Sequence, residues 1–155
     1  MNHEIDVLVE DDRWSDLDRL AQVAVPAALA GLDGPFTVAI LGCDDARIAA
    51  LNGDFRAKPT ATNVLSWPSE DRVPGGPITD PELGDIAIAF ETCAREAAEQ
   101  GKPFEAHVMH LLVHATLHLL GHDHIETDEA ERMEALEVQI LAGLGFPDPY
   151  ASGMG

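Results

Sequence analysis

The sequence predicts an α+β fold: a small mixed sheet of about four strands packed on one central buried helix, with further helices around it. Three observations carry this. Four short runs have the alternation or the apolar density of strands, each bounded by turn residues. Segments with apolar residues every three or four positions separate and follow them. One stretch, from 103 to 120, is apolar nearly all round, which marks a helix inside the protein rather than on its surface.

The elements follow in order. Glu4–Glu10 alternates, with Ile5, Val7 and Val9 against Asp6 and Leu8, and reads as the first strand. Trp14–Leu29 has helical spacing, with Ser15 or Asp16 near its start and Pro26 set to kink or shorten it. Gly31–Pro35 is a turn. Phe36–Leu41 (FTVAIL) is the second strand. Asp44 or Asp45 caps a short helix through Leu51, which Asn52-Gly53 ends. Asn63–Trp67 is the third strand, stopped by Pro68. Ser69–Pro81 is rich in Pro, Gly and Asp and reads as a mobile loop. Leu83–Phe90 is the fourth strand, and Thr92–Gln100 a helix ended by Gly101. Thr127 or Asp128 caps a last helix whose Met133, Leu136, Ile140 and Leu144 face inward. Its Glu129, Glu131, Glu134 and Glu137 read as a solvated face. The closing PDPYASGMG reads as a frayed end. Residues 1–155 form one domain, and strand order is not legible.

The buried helix holds the chemistry. Pro103–His124 reads PFEAHVMHLLVHATLHLLGHDH and contains six of the seven histidines. Pro103 starts the helix where its missing N–H costs little. His107, His110, His114 and His118 then share one stripe, at steps of three, four and four. His114 and His118 lie one turn apart, so both rings reach one ion. Gly121 supplies a left-handed helix stop, and the chain can return His124 to the same point. His-x3-His-x5-His gives three neutral imidazoles, a set that suits Zn2+ and leaves a fourth position open. Nickel, iron or copper would also be accepted. His107 and His110 read as groups that support the ligands or line the pocket wall. Asp123 reads as a turn residue or a group orienting a ligand histidine. In His-Glu-x-x-His metallopeptidases the residue after the first histidine is the general base. Here it is Ala115, which can move no proton.

Composition bounds the rest. No apolar run is long enough to span a membrane, and the first residues lack the pattern of a signal peptide. Cys43 and Cys93 make neither a disulfide framework nor a CxxC site, which points to reduced thiols in a cytoplasmic protein. The net charge of −19 disfavours nucleic-acid binding overall. Its distribution is uneven. Acids crowd Glu10–Asp18 and Asp123–Glu137, whereas Arg56 and Lys58 stand in a stretch with few of them. A bound Zn2+ with neutral ligands would add positive charge locally.

HATLHLLGHDH resembles the metal motif of the YbeY family, bacterial endoribonucleases of ribosomal RNA maturation and ribosome quality control. The resemblance continues through IETDEAERMEALEVQILAGLG and covers NGDFRAKPTATNVLSWP and LGDIAIAF, in the family's order. The family usually has glycine at Ala115, tyrosine at His122, and a lysine and proline at Thr60 and Ala61. The resemblance implies a zincin-like fold, with the metal at the end of the central helix beside an edge strand. It implies a zinc-dependent single-strand endoribonuclease acting on ribosomal RNA and the ribosome, at the 3′ end of the small-subunit RNA. It places a catalytic or phosphate-contacting arginine at Arg56, and Asp85 matches its pattern. A planar, always-charged guanidinium suits that role, since it grips two phosphate oxygens and stabilises developing charge. Lys58 would assist as a point charge.

Two other classes compete. A hydrolase of small-molecule amides or peptides needs the base that Ala115 lacks. A non-catalytic ribosome-binding factor with structural zinc would need a fourth protein ligand, such as His110 or His122. Either the ribose 2′-hydroxyl or a water attacks the phosphate, and the product ends distinguish the two.

Overall fold

Alternating and apolar strands of the expected kind form one four-stranded sheet. The structure, a computed structural model, describes residues 3–56, 60–123 and 126–150, with the backbone alone at 55 and 56. In chain order the elements are β1 (Glu4–Val9), α1 (Leu17–Ala28), β2 (Thr37–Cys43), α2 (Asp45–Arg56), β3 (Val64–Pro68), β4 (Glu82–Ala89), α3 (Phe90–Gln100), α4 (Phe104–Leu119) and α5 (Thr127–Gly143).

The sheet order is β1-β2-β4-β3. β1, β2 and β4 run parallel, and β3 lies antiparallel on the edge beside β4, so the sheet is mixed as expected. The central strands are the most apolar because helices cover both their faces. Val38, Ile40, Ile86 and Ile88 point into the larger core, shared with α1 and α4. Ala87 and Ala89 point the other way, with Cys43, Leu65 and Ile48 of α2.

Helix α4 is the hub of the larger core. Val108, Leu112, Val113, Ala115, Leu117 and Leu119 are all buried. Full burial of such side chains contributes about 1.5–3 kcal/mol for each Val or Leu. From His107 to Leu119 the residues left partly exposed are His110, His114 and His118. The helix stops where Gly121 adopts φ +101°, with Gly121 N–H donating to His118 O and His122 N–H to Leu117 O. Glycine is required there twice over, since a Cβ would sit 2.4 Å from the carbonyl oxygen of Arg72.

Four details differ from the sequence reading. α1 begins at Leu17, because Trp14 is committed elsewhere: its indole N–H donates to Cys43 O, and its ring packs on Phe90 and Phe104. Pro26 is accommodated in the last turn of α1. α2 continues through Asn52-Gly53 to Arg56, so Arg56 closes a helix instead of lying in a loop. Asn52 is buried and donates its side-chain amide to Thr60 O, which removes its usual use as a helix breaker. The loop 69–81 is tied down. Arg72, its side chain 2% exposed, donates to Leu83 O, Leu119 O and Ser69 Oγ, while Glu70 accepts from Thr79 and Asp80. Among the described residues no helix is long and apolar enough to cross a membrane.

Candidate metal centre

The histidine stripe of α4 faces an open cleft of about 1380 Å³ whose opposite wall is edge strand β3. Asn63, Val64 and Ser66 line it on that side, His107, His114 and His118 on the other. Such a volume exceeds an ordinary small-molecule pocket of roughly 300–1,000 Å³.

The rings of His114 and His118 stand edge to face, with Nε2 3.0 Å from Nε2. Their other nitrogens point away from each other. His118 Nδ1 lies 2.9 Å from His122 O, a backbone carbonyl made available by the turn at Gly121. His114 Nδ1 lies 2.6 Å from Glu137 Oε2. A carbonyl and a carboxylate can only accept, so both Nδ1 atoms carry the hydrogen. In the neutral rings both Nε2 atoms then present lone pairs to one another. Both lone pairs can then serve one cation placed between or beside them. In a tetrahedral site with zinc–nitrogen bonds of about 2.0–2.1 Å, ligand atoms would be about 3.3 Å apart. The donor pair therefore fits a metal, and its outer hydrogen bonds fix the tautomer that a metal needs.

Glu137 is a correction to the sequence reading. It was expected on the solvated face of the last helix, and it is fully buried, between Met133 and Leu141 on the inward stripe of α5. Its Oε1 lies 2.8 Å from His110 Nε2 and accepts a short hydrogen bond from the Tyr150 hydroxyl. Burial opposes its ionisation, but the hydrogen bonds from His110, His114 and Tyr150 outweigh that and hold the carboxyl down at about 2. Burial, and the hydrogen bond to Glu137, push the Tyr150 phenol up, so it remains a donor. The frayed tail is a second correction. Through Tyr150 it is packed on the site, with Pro149 O accepting from Lys102 Nζ at 2.8 Å.

His110, His114 and Glu137 bring ligating atoms within 4.8 Å of one another and could hold a metal themselves. In this structure those atoms are bonded to each other at 2.6–2.8 Å.

Further along the cleft, His107 is buried and its Nε2 lies 2.9 Å from Glu96 Oε1, which also accepts from Asn63 Nδ2. Burial lowers the His107 pKa despite Glu96. The structure thus brings together His114 and His118 of the expected ligands. His124, Lys58 and the side chain of Arg56 lie outside the described residues. Glu137, Tyr150 and Glu96 were not singled out from the sequence.

The family profile described as Endoribonuclease YbeY matches residues 5–145. A Cereibacter sphaeroides protein named Endoribonuclease YbeY is 58% identical, covering 94% of this chain and 98% of that one. One from Dinoroseobacter shibae with the same name is 55% identical, covering 97% and 92%. TM1509 from Thermotoga maritima, solved in solution, superposes with a TM-score of 0.61 at 19% identity, over 91% of each chain, and so shares the fold.

Proposed function

The chain belongs to the YbeY endoribonuclease family, and from that premise we propose that it is a metal-dependent single-strand endoribonuclease of ribosomal RNA maturation. His114, His118 and His124 are the metal ligands, and zinc is the metal their chemistry favours. The observation that carries this reading is the pair of Nε2 atoms held 3.0 Å apart with both outer nitrogens tied back.

When bound, such an ion supplies Lewis acidity toward a phosphoryl oxygen. The protein's own groups do the rest. Glu137 and the carbonyl of His122 hold the two imidazoles in their metal-accepting tautomer. Arg56, at the end of α2, is the group that grips the scissile phosphate and stabilises the charge built up there. Lys58 adds a positive charge beside it. The cleft between β3 and α4 takes an extended strand of RNA. Its location in the cytoplasm and its action on the ribosome belong to the same proposal.

The test is metal stoichiometry measured together with cleavage of a single-stranded ribosomal RNA fragment. Metal and cleavage should be lost together in His118→Ala. If His118→Ala keeps its metal and His110→Ala loses it, the ion sits on His110, His114 and Glu137 instead. Products ending in 2′,3′-cyclic phosphate assign the attack to the ribose, and 5′-phosphates assign it to water.

A further inference from the structure

We propose that Tyr150 and His110 are positioning residues: through the buried Glu137 they hold His114 toward the metal, so that docking of the C-terminal segment and metal binding favour one another. The inference rests on the metal reading above and extends it to residues far along the chain.

The geometry is a closed set of contacts. Glu137 has two oxygens. Oε2 is taken by His114 Nδ1 at 2.6 Å, and Oε1 by His110 Nε2 at 2.8 Å and by the Tyr150 hydroxyl. The Tyr150 hydroxyl also lies 3.1 Å from His110 Nε2, and its ring meets that imidazole edge to face at 5.2 Å. A fully buried carboxylate must be met on both oxygens, and the groups that meet one oxygen help to fix the direction of the other. With Oε1 engaged by His110 and Tyr150, Oε2 faces His114. The segment that brings Tyr150 is itself fastened to the body by Lys102 Nζ to Pro149 O at 2.8 Å, and it is turned locally by Tyr150 N–H to Asp148 Oδ1 at 2.8 Å. Two residues expected to be an unstructured tail thus complete the support of a ligand borne by the central helix.

Coupling of this kind is reciprocal. Whatever factor docking adds to metal affinity, metal must add to docking. The sequence contains a single tyrosine, so incorporation of 3-fluorotyrosine gives one fluorine resonance, at Tyr150.

The experiment measures zinc affinity by chelator competition in the full chain. Tyr150→Phe should bind zinc about three- to tenfold more weakly, the net worth of one hydrogen bond. It is the safer variant because Tyr150 is 43% exposed and phenylalanine keeps its ring. Glu137→Gln should lose roughly 10- to 100-fold. Its amide can donate to His114 Nδ1 and so favour the tautomer that blocks Nε2. Zinc should also move the fluorine resonance of the parent and leave that of Glu137→Gln in place. A merely structural role would lower the stability of metal-free Tyr150→Phe and leave its zinc affinity unchanged, and that result overturns the proposal. So does a fluorine signal indifferent to zinc. If the parent binds no zinc, or His118→Ala binds it as well as the parent, the metal reading falls and the relay falls with it. If those controls behave and Tyr150→Phe matches the parent, only the relay falls.

Discussion

His114 and His118 present their Nε2 atoms to each other across 3.0 Å while each Nδ1 faces an atom that can only accept. Both Nε2 atoms can therefore serve one cation. Alanine at His114, His118 or His124 should reduce bound metal and RNA cleavage together. Full metal occupancy in all three single variants would remove these ligands from consideration.

Metal binding should stabilise the fold, because the site joins α4 to the turn that follows it. A ligand binding only the native state adds about 2.7 kcal/mol at a hundredfold excess over Kd. The imidazoles must be unprotonated to bind, so the gain fades as the solution is made acid. Thermal unfolding with and without chelator at pH 7.5 and pH 5.5 checks both points. A melting temperature indifferent to chelator at the higher pH contradicts them.

Much of this was legible in the sequence, for identifiable reasons. The apolar circumference of 103–120 and its four-step histidines made α4 and the pairing of His114 with His118 readable, because both signals are local. Glu137 was missed although Met133, Glu137 and Leu141 repeat every four residues on one stripe of α5. A glutamate among glutamates reads as solvated until the histidines opposite it are known. Tyr150 gave no local signal at all: its partner lies 13 residues away in sequence, on α5. Strand order followed from packing that no single stretch encodes, and Asn52-Gly53 failed as a stop because Asn52 is spent on Thr60.

Arg72 should be a structural clamp. Its guanidinium joins Leu119 O at the end of α4 to Leu83 O on β4 and Ser69 in the loop. Arg72→Met keeps the bulk, leaves Leu119 O without its Arg72 donor and leaves Leu83 O with the Ser69 N–H alone. Each bond involves a charged donor, so a loss of at least about 1.5–3 kcal/mol is expected. Urea unfolding of the chelated protein measures it, and limited proteolysis should cut first within 69–81. An unchanged midpoint would show the clamp to be idle.

Glu137 should make the metal-free protein acid-sensitive in a defined window. Its carboxyl is held at about 2 against an ordinary 4.5. The unfolded chain therefore binds more protons than the folded one between these values, and stability falls as pH falls. The contribution is complete above pH 4.5, is lost on the way to about pH 2, and is on the order of 3 kcal/mol. The unfolding midpoint of the chelated parent should drop more steeply across this window than that of Glu137→Gln. Parallel slopes would mean that the carboxylate is not the group responsible.

Arg56 closes α2. Arg56→Ala should leave metal content and the melting temperature near those of the parent, since an arginine at a helix end supports little of the core. Cleavage should fall by two to three orders of magnitude, because losing a preorganised charge donor costs about 2.7–4 kcal/mol in the transition state. Arg56→Lys should restore little, as an ammonium cannot reproduce the bidentate fork. The discriminating comparison is rate against affinity. With a net charge of −19 the protein repels RNA overall, so local cations must hold the phosphate, and affinity should fall as well. It should fall by less than the rate if the arginine acts mainly on charge that develops during reaction. Single-turnover cleavage and RNA binding, measured at one fixed salt concentration, separate the two. Equal losses would make Arg56 a binding group alone, and parental cleavage in Arg56→Ala would place the phosphate-stabilising group elsewhere in the cleft.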